Sequence, residues 1–290
     1  MKKVSGSLLL LLTALIWGTA FVAQRTGMDH VGPFTFQAAR GLLGGLTLLP
    51  VVLWQKKSQG DAFCAPSVKA CLLCGLVLTI ASTTQQIGIV STSASKAGFI
   101  SSLYVVFVPV LGLLIGKRAQ RKIWLSVCLA IGGMFLISGV GMGSLAVQYG
   151  DIWLLASAVF YAVHILVVAH YAPKVSGAAL SMAQFAVMGV VTLLPALIME
   201  KPTLQGLVDA KWAILYTGVL SSGVAYTLQI IGQARLHSAV ASLIMSLESV
   251  FALMAGMLLL GEQLNRGEWI GCGLVLLAVI ISQLPEKRND

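Results

Sequence analysis

Two ionisable residues lie inside long apolar stretches of this chain, Arg40 in the run at 34–54 and Glu248 in the run at 238–260. If those runs cross a lipid bilayer, each charge costs roughly 2.5–3.5 kcal/mol on insertion scales and must face a partner, water or a substrate. Arg40 sits about a third of the way along its run, on a stripe with Gln37 and Gly44. Its planar guanidinium matches a carboxylate, so one role is to hold an anionic substrate group. The alternative is that its long stem lets the charge reach the outer interface through Gln37. Glu248 is some ten residues from Ser238, too deep to reach either surface. It must pair with a cation, hold a proton, or pass one on.

Uncharged polar and aromatic groups repeat at helical spacing on other runs. Ser157, Tyr161 and His164 share one face, and Thr13, Trp17 and Ala20 occupy the equivalent face 144 residues earlier. Thr79, Ser82 and Gln86 form a third stripe, and Ser222, Tyr226, Gln229 and Gln233 a fourth. Such stripes either bond helices to one another or line a polar path through the membrane. His164 is read with the same two options, a satisfied structural histidine or a substrate ligand. Lys96, at the start of a run, is expected to reach the lipid headgroups. Glu262 and Glu268 are expected in an outer loop, Glu268 solvated and Glu262, after Gly261 at a helix end, in a structural role.

The elements that must carry these groups follow from composition. Of 290 residues, 58% are hydrophobic and 10% charged, with mean hydropathy +0.91. A water-soluble domain carries about 25% charged residues, so lipid must be the main solvent. Apolar runs fall at 5–24, 34–54, 68–90, 97–116, 121–141, 150–170, 178–199, 211–233, 238–260 and 268–284. Each is near the length that a bilayer requires of a helix, and twice that of a spanning strand. The reading is an all-α integral membrane protein of ten spans. The run after Lys2 and Lys3 imitates a signal peptide but is too long for one, and is kept as the first span.

Charge placement orients the bundle. With the N terminus inside, inner loops carry 13 Lys and Arg, outer loops carry 5, and Arg40 alone lies within a span. That bias predicts cytoplasmic termini in the inner, or plasma, membrane. The net charge of +9 sits in short loop clusters rather than on a continuous basic face, which argues against nucleic acid. The five cysteines are odd in number; Cys71 and Cys74 form a CxxC with no second pair to complete a zinc site. No metal or other cofactor is expected.

An internal repeat is the more informative pattern. Thr47-Leu48-Leu49-Pro50 recurs as Thr192-Leu193-Leu194-Pro195. Ala94 matches Ala239, Ser101 matches Ser246, Gly116 matches Gly261, Arg121 matches Arg266 and Trp124 matches Trp269. Five spans per half is an odd number, so residues 145–290 must insert upside down relative to 1–144. Inverted repeats are the architecture of secondary transporters with a midplane site.

Several stretches resemble the EamA type of the drug/metabolite transporter superfamily, one unit per half. They are Trp17-Gly18-Thr19, the segment Thr92 to Ile100, Leu260-Gly261-Glu262 and Gly271-Cys272-Gly273. The resemblance implies two inverted five-helix repeats and movement, chiefly export, of small metabolites such as amino acids, or of drugs. One departure is Leu247-Glu248-Ser249-Val250, where many relatives carry Pro after the Glu. A kink expected there is either missing or supplied by neighbouring small residues.

The expected substrate cavity is lined by Trp17, Gln37, Arg40, Gln86, Tyr161, His164, Tyr226, Gln229 and Glu248. Arg40 would hold Glu248 ionised in one state and release it in another, while the aromatic residues receive the rest of the substrate. The expected partners are a small-molecule substrate and the bilayer, with a homodimer left open. Two other classes compete: a lipid-modifying membrane enzyme and a non-transporting membrane subunit. The first needs a convergent catalytic pair, and Asp29-His30, in a short outer loop, is the only adjacent candidate. No Walker-type phosphate loop occurs, so ATP does not drive this chain directly.

Overall fold

The computed structural model describes residues 2–92, 94–117, 119–137, 148–260 and 265–284, and every regular element among them is helical. The principal helices are α1 (Val4–Gly27), α2 (Pro33–Ala62), α3 (Val68–Val90), α4 (Lys96–Leu114), α5 (Arg121–Ile137), α6 (Tyr149–Lys174), α7 (Gly177–Glu200), α8 (Lys211–Gln233), α9 (Ser238–Leu258) and α10 (Arg266–Gln283). All except α5 are long and apolar enough, among the described residues, to cross a bilayer. Helix α5 reaches 17 residues at Ile137, where the described segment ends. The expected boundary between halves at 144/145 lies outside the described residues, as do Gly261 and Glu262.

The packing is the same when the halves are exchanged. Helix α2 lies along its counterpart α7, and α5 along α10; α3 packs on α6 as α8 packs on α1. Counterparts run antiparallel. Lys122 Nζ, at the start of α5, donates to the Leu284 carbonyl beyond the end of α10 at 2.6 Å. Ser7 Oγ on α1 donates to Gln283 Oε1 at 2.8 Å, which puts both chain ends on one face of the bundle. Helices α5 and α10 meet at paired glycines. A Cβ on Gly133 would stand 2.6 Å from the Gly271 carbonyl oxygen, and one on Gly271 2.5 Å from that of Gly133. In lipid, where apolar burial gives helices no net attraction, such close backbone approach is a main source of cohesion.

The α2–α7 pair is clamped at both ends. The N-cap of α7, Ser176, donates its hydroxyl to Gln55 Oε1 near the end of α2 at 2.8 Å. At the other face Glu200, ending α7, accepts from the Phe34 and Thr35 backbone N–H groups (2.9 and 2.7 Å) and from the Thr35 hydroxyl (2.6 Å). The N-cap of α2 is Gly32, which has no side chain to satisfy the first N–H groups, so Glu200 supplies the cap from another helix. Pro195 precedes a π-helical turn, Ala196–Glu200, that aims the carboxylate, and Lys201 ends it in the left-handed region at φ 48°. Glu200→Ala is expected to lower stability by about 1–3 kcal/mol, the cost of an N-cap plus stranded donors. Thermal unfolding in detergent checks this, with Glu200→Gln expected to fall between Ala and the parent.

Two solvated or lipid-facing expectations are corrected. Lys96 Nζ makes an ion pair with Asp151 Oδ2 at 2.7 Å instead of reaching headgroups. Asp151 also accepts from the Gln148 N–H at 2.9 Å, so the Lys sits on the cap of α6. Glu268 is a helix cap: it accepts from the Asn265 N–H at 2.7 Å while its own N–H donates back at 3.0 Å.

Helices α4 and α9 both break near their midpoints, at Leu103 and at Ser246–Leu247, positions related by 144 residues. No proline is needed in α9. Ser246 and Ser249 turn their hydroxyls onto the carbonyls of Leu243 and Ser246, each at 2.8 Å. Back-bonding serines of this kind bend helices. The kink that the missing Pro put in question is present, supplied by serine.

Candidate substrate cavity

Both breaks, and the deep charges, meet at one cavity. It holds about 360 Å³ of unfilled space, counting its open mouth, and is lined by Trp17, Ala20, Phe21 and Gln24 of α1, Arg40, Gln85, Tyr104, Tyr161, Ser221 and Tyr226, and Glu248. The α1 residues belong to the second half of that helix and Arg40 to the first turns of α2, so the cavity lies toward the face opposite the chain ends. Its inner limit is aromatic. The Trp17 and Tyr226 rings stand 4.6 Å apart, and Tyr226 stacks edgewise on Phe185 at 4.9 Å. Tyr161 Oη donates to Gln85 Oε1 at 3.1 Å.

Arg40 is 3% exposed and does not reach the interface. Its Nη1 donates to Gln24 Oε1 (3.2 Å), Nη2 to Ser221 Oγ (3.3 Å) and Nε to Ser222 Oγ (3.2 Å). The two serines lie in a π-helical stretch of α8, Tyr216–Ala225, whose wider turn presents consecutive residues to the same guanidinium. All three acceptors are neutral. A buried guanidinium with hydrogen bonds but no counter-charge is held at a cost that an incoming anion relieves.

Glu248, 5% exposed, accepts a hydrogen bond from Ser102 Oγ at 3.1 Å, joining the break in α9 to the break in α4. It is positioned by Gly18, where a Cβ would stand 2.6 Å from the Glu248 carbonyl oxygen and 2.5 Å from Phe251 Cβ. Only glycine lets α1 come this close, and Trp17 and Glu248 both line the cavity. The ion pairs among the described residues are Arg25–Asp29 and Lys96–Asp151, so Arg40 and Glu248 share a cavity without pairing in this state.

Of the nine residues expected at the cavity, Trp17, Arg40, Tyr161, Tyr226 and Glu248 line it. Gln37 is turned away and donates to the Ser82 carbonyl. Gln86 donates to the Gln24 carbonyl at 3.3 Å, fixing the helix that carries Gln24 rather than facing the space. His164 bonds Gln184 at 3.0 Å, and Gln229 is buried; both lie beyond the aromatic floor. Sequence reasoning missed Phe21, Gln24, Gln85, Tyr104 and Ser221 as lining residues. The repeat carried a signal for two of them: Gln85 is 144 residues from Gln229, and Tyr104 is 144 from Glu248.

A helical bundle of antiparallel counterpart halves around a buried, charge-bearing cavity is the architecture of a membrane transporter, and the family and relatives that follow make it one, multi-pass in the plasma membrane. The model of the EamA-like transporter family matches residues 4–139 and again 148–284, once per half. The chain belongs to that family. It is 31% identical over 286 residues to an uncharacterized transporter of Archaeoglobus fulgidus, covering 98% of this chain and 87% of the relative. It is 23% identical over 280 residues to the uncharacterized inner membrane transporter YedA of Escherichia coli K12, covering 93% and 88%. A solved crystal structure superposes with TM-score 0.81 at 15% identity over 97% of each chain, a likeness of fold.

Proposed function

We propose that the chain is a secondary transporter, an exporter, of small zwitterionic metabolites, amino acids or related compounds, working by alternating access across ten spans. The observation that carries this is the pair of buried, opposite charges in one cavity, each without a counter-ion among the described residues. A zwitterion supplies both missing partners at once: its carboxylate to Arg40 and its ammonium to Glu248. Trp17, Tyr161 and Tyr226 offer the remainder of the substrate apolar surface and, to its cation, ring faces. The bias of Lys and Arg toward the loops on the side of the chain ends supports cytoplasmic termini, and with them a cavity on the outer side of the bilayer. Export as the direction rests on the family resemblance.

The test is counterflow in proteoliposomes with a panel of amino acids, the corresponding amines and the corresponding carboxylic acids. Compounds bearing both charges are expected to exchange fastest. Equal exchange of neutral compounds of the same size, or no exchange of any panel member, would sink the assignment.

A further inference from the structure

Beyond the aromatic floor lies a second polar cluster that the outer cavity does not use. His164 Nε2 donates to Gln184 Oε1 at 3.0 Å across the α6–α7 contact, and both side chains are fully buried. That bond leaves His164 Nδ1 and Gln184 Nε2 without partners, and Gln229 Oε1 and Ser181 Oγ are likewise buried and unpartnered. Buried polar atoms are almost always satisfied, so a group of orphans contributed by three helices demands a reason. Tyr226 separates the cluster from the cavity, its ring 6.1 Å from that of His164 and 4.6 Å from that of Trp17.

The positions explain the orphans. His164, Gln184 and Gln229 stand 144 residues after Ala20, Arg40 and Gln85, three residues that line the open cavity. Because counterpart helices run antiparallel, exchanging the halves carries that lining to the opposite side of the floor. We infer that His164, Gln184, Gln229 and Ser181 form a second substrate-head site, closed here and opened toward the chain ends in the alternate state. It takes the polar head of the same small metabolite through neutral groups: an amide donor on Gln184, and acceptors on His164 Nδ1 and Gln229. Where the outer site offers a guanidinium, this one offers an amide at the matching place. It therefore holds a carboxylate less tightly than Arg40 does, by the difference between a neutral and a charge-assisted bond. The inference rests on the transporter reading above.

The test reads access rather than transport. In a background with Cys64, Cys71, Cys74, Cys128 and Cys272 replaced, single cysteines are placed at Ser181, Gln184 and Ser221, with Ala130 as a control in the apolar core. A membrane-impermeant maleimide is added to sealed vesicles of both orientations, sorted by a tag on the N terminus. Ser221→Cys should react from the face opposite the termini. Ser181→Cys and Gln184→Cys should react from the terminal face, at least tenfold faster than Ala130→Cys. Ser181→Cys changes one atom, so it remains informative if Gln184→Cys fails to fold. Reaction of both no faster than the core control, with Ser221→Cys reactive, overturns the second site and leaves the transporter reading standing. Reaction of both only from the face opposite the termini also overturns it. Silence at Ser221→Cys as well removes both readings together.

Discussion

Arg40→Gln is expected to cut exchange of carboxylate-bearing substrates about 10–100-fold, the worth of one charge-assisted interaction of roughly 1.5–3 kcal/mol. The same variant is expected to be at least as stable as the parent. That combination is informative because the two common roles of a buried arginine predict otherwise. An arginine locked in a structural ion pair leaves a stranded carboxylate when removed, at about 3–5 kcal/mol. Here the acceptors are Gln24, Ser221 and Ser222, all neutral, and glutamine can still bond one of them. An arginine that merely reached the interface would change neither quantity, and at 3% exposure Arg40 does not reach it. Amines lacking the carboxylate should gain in Arg40→Gln, because the charge that repels them is gone while Glu248 remains. Counterflow against thermal unfolding, measured on one preparation, checks both halves. Loss of stability with transport unchanged would return Arg40 to packing.

Much of the architecture was legible because a bilayer allows so little else. With no water to satisfy backbone groups, apolar runs of some 20 residues have to be helices, and their ends have to carry the charges. The repeat was legible through residues that composition does not explain, above all Pro50 and Pro195 in the Thr-Leu-Leu-Pro segments. The deep charges were legible for the same reason: Arg40 and Glu248 stand out in lipid as they would not in a soluble core. Neutral polar residues did not. Gln85 and Gln86 are adjacent in sequence, yet one faces the cavity and the other bonds a backbone carbonyl. Periodicity alone cannot fix helix rotation that finely, and both choices give the amide a partner. The π-helical stretch in α8 hid Ser221, since a 3.6-residue repeat does not anticipate ten residues of wider turn. Glu200 carried no signal in the sequence, because its partners are N–H groups of a helix 165 residues away.

Glu248→Gln should separate what the carboxylate's charge does from what its shape does. Glutamine keeps the volume, and its amide oxygen can still accept from Ser102, so the joint between α4 and α9 is retained and folding should be unaffected. What it removes is the negative charge in a cavity whose other deep charge, on Arg40, pairs with no carboxylate among the described residues. Exchange of substrates bearing an ammonium group is expected to fall about 10–100-fold, by the same charge-assisted worth as at Arg40. Carboxylic acids without an amine should gain, because the charge that repels them is gone while Arg40 remains. The selectivity of Glu248→Gln is thus the mirror of that of Arg40→Gln, and no general loss of folding or membrane insertion produces opposite shifts on one panel. If Glu248 also carries a proton during the cycle, the variant loses the pH dependence of exchange along with its rate. If it only holds the ammonium, the rate falls and the pH profile keeps its shape. Counterflow of an amine, an acid and an amino acid at several pH values distinguishes these outcomes. Unchanged rates for all three would remove Glu248 from the substrate path and leave it as the joint between the two broken helices.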